Sequence, residues 1–213
     1  VNETSLLEDA LRAYLNRRCR RAYAHDLRNG MQGIFGGFDA LSRAARSTKP
    51  LAIPLEQLTE FVQQAITNHE RGLERLLESM APDRQTPEVI SLRDLLTEQT
   101  RFMTNDTARH GIRVALDFND DMKVLAMPGR VQLIGLGLLT ESIDAMPSGG
   151  EIRIAGRTTA DRVHFEFTDS RTAPRPSTFV NEAIERLVAE LSGHIELTQG
   201  AAGCQTQVHL PAA

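Results

Sequence analysis

Apolar residues recur every three or four positions through residues 6–80, and every second position through much of residues 110–210. Leu27, Met31, Ile34, Phe38, Leu41 and Ala45 are separated by steps of four, three, four, three and four, the heptad seam of a helix that lies against other helices. The same steps carried backwards reach Ala24, Arg20, Arg17, Ala13, Ala10 and Leu6, so the seam is apolar at both ends and basic in the middle. No proline interrupts residues 6–47. A helix of about 40 residues is about 60 Å long, and only packing along its length stabilises it. Pro50 ends it, because the residue before a proline is pushed out of the helical region. Pro54 suits the first turn of a second helix that runs to about Met80. Its seam holds Leu55, Leu58, Val62, Ala65, His69, Gly72 and Leu76, widened by Phe61, Ile66, Leu73 and Leu77. One hairpin of such helices covers only half a core. Two hairpins paired in a four-helix bundle bury both stripes, which predicts a homodimer.

Ala81 to Pro87 is polar and carries two prolines, and it marks the expected boundary. The reading is a helical hairpin over 1–81, a linker over 82–87 and a second domain over 88–213. In that second domain the period changes. Ser91 is an N-cap for a helix through about Arg109, with Gly111 at its C-terminal end. Ile112, Val114, Leu116 and Phe118 alternate as a strand, and 124–126 is a short second one. A strongly apolar helix over 130–146 is closed by Pro147-Ser148-Gly149-Gly150. Residues 151–157 and 162–168 form a strand hairpin. A helix over 182–191 and strands over 194–198 and 205–210 complete an α+β chain.

Composition narrows the function classes. The apolar share of 41% and charged share of 24% are those of an ordinary soluble globular protein. A net charge of −4 argues against binding nucleic acid through the whole surface. No apolar run approaches the ~20 residues of a membrane span, and no signal-peptide pattern opens the chain, so no membrane association is expected. Cys19 and Cys204 lack metal-ligand spacing, and free thiols in a reduced, cytoplasmic protein are the simplest reading. No metal site is expected. The chain opens on Val1, as a trimmed or partial chain would.

Six histidines are the candidate reactive groups. His25 lies two residues before Leu27, beside the seam rather than in it. Asp26 is its neighbour, and Asn29 shares its face one turn on. A histidine on a bundle flank with those neighbours can act as an accessible nucleophile. Alone it reads as a solvated surface residue; the rest of the chain changes that reading. His69 falls on the second seam and reads as a packed core residue. His110 suits the end of a helix, His164 an outward strand position, and His194 and His209 strands without such neighbours.

Over nearly its whole length the chain resembles the catalytic core of bacterial two-component sensor histidine kinases. His25-Asp26-Leu27-Arg28-Asn29 is similar to the phosphoacceptor box of that family. Arg130 to Gly150 resembles its ATP-site helix and the turn that follows. Phe165 to Ser170 resembles the strand leading to the adenine-contacting aspartate, here Asp169. Leu187 to Leu197, Gly203 to Thr206 and His209 to Pro211 resemble the end of the ATP-binding domain. The resemblance implies a helical-hairpin phosphotransfer domain followed by a histidine-kinase-type ATPase α/β sandwich.

Departures from the family pattern gather in the second domain, which reads as degenerate. Glu141 stands at the place of the metal-binding asparagine, and Gly137 at the place of a second asparagine one turn earlier. The usual Asp-x-Gly motif reads Asp169-Ser170-Arg171, without the glycine that permits close backbone approach. Residues 171–178 carry no glycine where the family has a long, glycine-rich, phosphate-contacting lid. Glu141, Asp144 and Asp169 are the residual nucleotide-site candidates, and ATP binding of the usual kind is not expected.

A kept phosphoacceptor beside a degraded ATP domain resembles the dimeric histidine phosphotransferases of phosphorelays. That likeness implies a phosphoryl group relayed between receiver-domain aspartates of response regulators. His25 is then the covalent carrier, with Asp26 orienting its ring and Asn29 contacting the phosphoryl group. Arg28, Arg21 and Arg18 offer charge to phosphate and to an acidic partner. No cofactor is held stably, and Mg²⁺ is supplied by the receiver. Two alternatives stand beside this reading: an active sensor kinase with a divergent ATP site, and a response-regulator-binding module without chemistry.

Overall fold

The computed structural model describes residues 3–47, 53–80, 86–171, 179–200 and 203–213, and side chains throughout these except over 75–80. Its elements run α1 (Glu3–Arg46), α2 (Leu55–Met80), β1 (Glu88–Ser91), α3 (Leu92–Phe102), α4 (Thr104–Arg109), β2 (Ile112–Phe118), β3 (Lys123–Ala126), α5 (Pro128–Asp144), β4 (Gly150–Thr158), β5 (Arg162–Asp169), α6 (Phe179–Glu190), β6 (His194–Gly200) and β7 (Gly203–Pro211). The chain divides into two compact units, Cys19–Ala81 and Val1–Arg18 with Pro82–Ala213. Among the described residues no helix is long and apolar enough to cross a membrane.

In the helical unit α1 and α2 meet along a stripe of small residues. A Cβ placed on Gly30 would lie 2.8 Å from the Cβ of His69, and one on Gly37 would lie 2.3 Å from Val62 Cγ2. Only glycine lets the helices approach this closely. The α2 seam is as expected from Leu58 to Gly72: Val62, Ala65 and Gly72 are buried, and Leu58 and His69 half-buried, whereas Leu55 at its start is exposed. On α1 the contact runs one position earlier than the apolar seam, through Gly30, Gly33 and Gly37. Leu27, Ile34 and Leu41 are therefore half-buried, while Met31, Phe35 and Phe38 stay exposed beside Phe61 and Leu73 of α2. Leu76 and Leu77 lie outside the described side chains.

The first turns of α1 depart from the expected boundary at residue 81. Thr4, Glu8, Leu11 and Leu15 are buried, whereas Leu6, Ala10, Ala13 and Arg17, carried back from the seam, are exposed. The reason is a second set of partners. Arg130 reaches Glu8 at 3.3 Å and Glu190 at 2.7 Å. Tyr14 meets Phe179 edge-on with ring centres 5.5 Å apart. Residues 3–18 thus pack with the mixed α and β unit.

That unit is built on a five-stranded sheet in the order β2-β4-β5-β7-β6, with β2 parallel to β4 and the other pairs antiparallel. Strict alternation along β5 and β7 turns Val163, Phe165, Phe167, Val208 and Leu210 inward. They share the core with Ile134, Leu138 and Ile143 of α5 and Ile184, Leu187 and Val188 of α6. The opposite face carries the half-buried His164, Glu166, Gln205, Gln207 and His209. Ser91 caps α3, its hydroxyl accepting from the Asp94 N–H at 3.2 Å, and Gly111 has a φ of +67° as its place after α4 requires. The helix expected over 91–109 is broken at the fully buried Met103, and β1, paired with β3 in a separate two-stranded sheet, has too short a pattern to read in sequence.

Candidate functional site

His25 projects from α1 in the helical unit with 42% of its side chain exposed. The Asn29 amide nitrogen lies 3.1 Å from Nδ1 and 3.2 Å from Nε2, alongside the ring. The Asp26 carboxylate is 3.7 Å from Nδ1. Helical spacing puts Arg21 one turn before His25 and Arg28 nearly one turn after it, and both are exposed. The structure therefore brings His25, Asp26 and Asn29 together, with two solvent-facing cations on the same stripe. An imidazole placed this way offers a lone pair to an electrophile, with a carboxylate beside it and an amide donor for incoming oxygens. His69, by contrast, packs against Gly30, and His110 at the end of α4 sets Nδ1 2.8 Å from the Asp106 carbonyl oxygen.

Asp169 closes β5 in the other unit, and its side chain is 3% exposed. Ser142 of α5 donates its hydroxyl to Oδ2 at 2.9 Å. Arg171 donates Nε to Oδ1 at 2.7 Å, Nη2 to Oδ2, and its backbone N–H to Oδ1 at 3.2 Å. A carboxylate offers about four lone-pair sites, and four donors occupy them. Burial works against the Arg171 charge, but the bond to Asp169 and its negative charge outweigh that and raise the pKa. The side chain that replaces the motif's glycine thus fills and neutralises the place where an adenine amine would donate.

The other nucleotide-site candidates are similarly engaged. Arg18 holds Asp144 Oδ1 at 2.5 Å from Nη2 and 3.0 Å from Nε, and reaches Asp106 Oδ2 at 2.7 Å. Its bond to Asp144, ahead of the desolvation that opposes it, pushes its pKa up. Arg18 was expected to present charge to a partner; its guanidinium instead ties α1 to α4 and α5. Tyr14 donates to Asp144 Oδ2 at 3.3 Å, and burial together with the charges of Asp144 and Glu141 raises its pKa to about 12, keeping the phenol a donor. A Cβ on Gly137 would lie 2.9 Å from Ile184 Cδ1, so this position of α5 faces α6. Glu141 is half-buried on the same helix. The lid segment 172–178 lies outside the described residues.

Sequence reasoning marked Arg171 only as bulk and passed over Ser142, Tyr14 and Asp106. Ser142 alone left a signal, since it directly follows Glu141 where the resembled pattern has alanine.

No family model matches the chain. Over 149 residues it is 25% identical to the sensor histidine kinase ZraS of Salmonella typhimurium and to that of Salmonella typhi, a match that covers 69% of this chain. The matched stretch is 31% of the length of those proteins. The catalytic domain of the histidine kinase ThkA superposes with a TM-score of 0.55 at 15% identity, over 60% of this chain and 98% of that one. Full-length ShkA, solved in complex with AMPPNP, gives a TM-score of 0.54 at 18% identity over 99% of this chain and 46% of that one. Long N-terminal helices followed by a mixed α/β sheet domain give this chain the architecture of a histidine-kinase-like core.

Proposed function

We propose that the chain is the phosphoacceptor of a two-component pathway, in which His25 takes a phosphoryl group from one receiver-domain aspartate and yields it to another without ATP. The engaged carboxylate of Asp169 carries this reading: with Arg171 and Ser142 on all its lone pairs, the residual ATP site has no acceptor for adenine. The Asp26 carboxylate, 3.7 Å from Nδ1, sets a negative charge beside the ring, and Nε2 is the attacking nitrogen. That nitrogen forms the N–P bond as the acyl-phosphate O–P bond breaks and the receiver's carboxylate leaves. The Asn29 amide donates to the phosphoryl oxygens, and Arg21 and Arg28 attract the acidic receiver surface. Mg²⁺ belongs to the receiver's own acidic pocket, so the chain needs no stable cofactor. The exposed Met31, Phe35, Phe38 and Phe61 supply the face on which two hairpins dimerise.

The comparisons favour a second reading. Both curated relatives are sensor histidine kinases, and ShkA was solved with an ATP analogue. An autokinase with a divergent nucleotide site therefore stands as the alternative. Receiver domains charged with acetyl phosphate decide whether His25 carries phosphate. Wild type is expected to gain an acid-labile, base-stable phosphoryl group, and His25→Gln to gain none while keeping its oligomeric state. Transfer that survives in His25→Gln removes the assignment. Receiver binding with no phosphohistidine, across a panel of receivers, points to the non-catalytic module instead.

A further inference from the structure

Three histidines unconnected with phosphotransfer meet on the open face of the sheet. Strand pairing sets His164 of β5 opposite His209 of β7, and His209 opposite His194 of the edge strand β6. Glu196 follows two residues after His194 and shares its face. One donor atom each from His194, Glu196 and His209 fall within 4.8 Å of one another. A cleft lined by Asp117, Asn119, Arg157, Glu166 and Gln207 opens beside His164 and His209.

The hydrogen bonds fix the protons. The Thr159 hydroxyl donates to the Arg162 carbonyl at 3.1 Å, so its oxygen accepts from His164 Nε2, also at 3.1 Å. In the tautomer with its proton on Nε2, His164 presents Nδ1 as an acceptor, and His209 Nδ1 donates to it. His209 Nε2 therefore carries a lone pair. That atom is buried, has no hydrogen-bond partner among the described residues, and faces the Glu196 carboxylate at 4.0 Å. Two acceptors confront each other across that gap, an arrangement a cation relieves.

We propose that His194, Glu196 and His209 bind a divalent transition-metal ion of the zinc class. Two imidazoles and one carboxylate are a donor set for zinc rather than magnesium. His164 acts behind them, fixing the His209 tautomer through Nδ1 as an outer-shell partner does for a ligating histidine. The His194 and His209 rings stack at 4.1 Å and within 2° of parallel, so a shared ion requires His194 to turn out of the stack. His194 and Glu196 are 54% and 61% exposed, which gives both room to close on the ion, and solvent completes its coordination. Such an ion ties the edge strand β6 to β7.

The test is calorimetric titration of tag-free, chelator-treated full chain with zinc chloride, and with magnesium chloride as the control. One zinc per chain is expected with a micromolar or tighter Kd, and no magnesium binding. His194→Ala with Glu196→Gln, both exposed side chains on an edge strand, is expected to weaken zinc at least tenfold with unchanged circular dichroism. His25→Ala is expected to keep the full stoichiometry. Zinc bound no tighter than about 100 μM, or bound equally by the double variant, or lost in His25→Ala, overturns the proposal.

Discussion

His25 and Asp169 are both polar side chains at positions that the histidine-kinase pattern marks as reactive, and the two units surround them differently. His25 stands on a helix flank with 42% of its side chain in solvent and light contacts to Asn29 and Asp26. Asp169 is 3% exposed, and four donors from Arg171 and Ser142 hold its carboxylate. A side chain with 42% of its surface in solvent can be reached by a docking protein. A buried ion pair is a structural element whose charges compensate only each other. The same resemblance thus marks a solvent-accessible histidine in one unit and a buried, ion-paired aspartate in the other.

The comparison breaks most sharply at Arg171. Arg171→Met leaves the buried carboxylate with only Ser142 and the backbone N–H of residue 171, and removing the charged partner of such a pair costs about 3–5 kcal/mol. Urea unfolding is expected to show that loss, whereas His25→Gln is expected to change stability by less than about 0.5 kcal/mol. Equal effects in the two variants would erase the contrast.

A smaller loss is expected within the helical unit. A Cβ on Gly37 would sit 2.3 Å from Val62 Cγ2, so Gly37→Ala forces α1 and α2 apart and costs about 1–3 kcal/mol. Unchanged melting would show that the close approach is not required. Phe38→Asp places a charge on the exposed apolar face and is expected to weaken self-association at least tenfold by sedimentation, with the hairpin still helical. Dimerisation indifferent to Phe38→Asp would move the interface elsewhere.

The smallest effect concerns pH. Burial, then the charges of His194 and His164, hold the His209 pKa below its ordinary value, against the opposite pull of Glu196; Arg162 adds to the lowering. The unfolded chain therefore binds the proton first as pH falls below about 6.5. Stability from the neutral ring is present above that pH and declines below it, toward the lowered folded pKa. His209→Gln is expected to flatten this acid limb in thermal melts between pH 7 and 5. An unchanged limb would remove His209 as its source.

Much of the architecture was legible because periodicity reports burial. The strand over 162–168 and the α2 seam through Val62 and Ala65 follow their patterns closely, while the strand over 112–118 forms where expected but buries only Ile112 of its alternating set. The α1 contact was not legible, since glycines at 30, 33 and 37 carry no hydrophobic signal, and close approach is a property of two helices together. The buried stripe of residues 4–15 was hidden because its partners, Arg130, Phe179 and Asp144, lie more than a hundred residues away in sequence. His25 with Asp26 and Asn29 was readable from local helical spacing. The Arg171 bond to Asp169 and the histidine row were not, because one depends on a turn of the backbone and the other on strand register.

The most direct test of the central claim is incubation of the full chain with γ-labelled Mg-ATP in the absence of any receiver or other kinase. The account predicts no label on His25 under conditions in which a phosphorylated receiver charges it. Labelled phosphohistidine formed from ATP alone, and lost in His25→Gln, would contradict it and make the chain an autokinase.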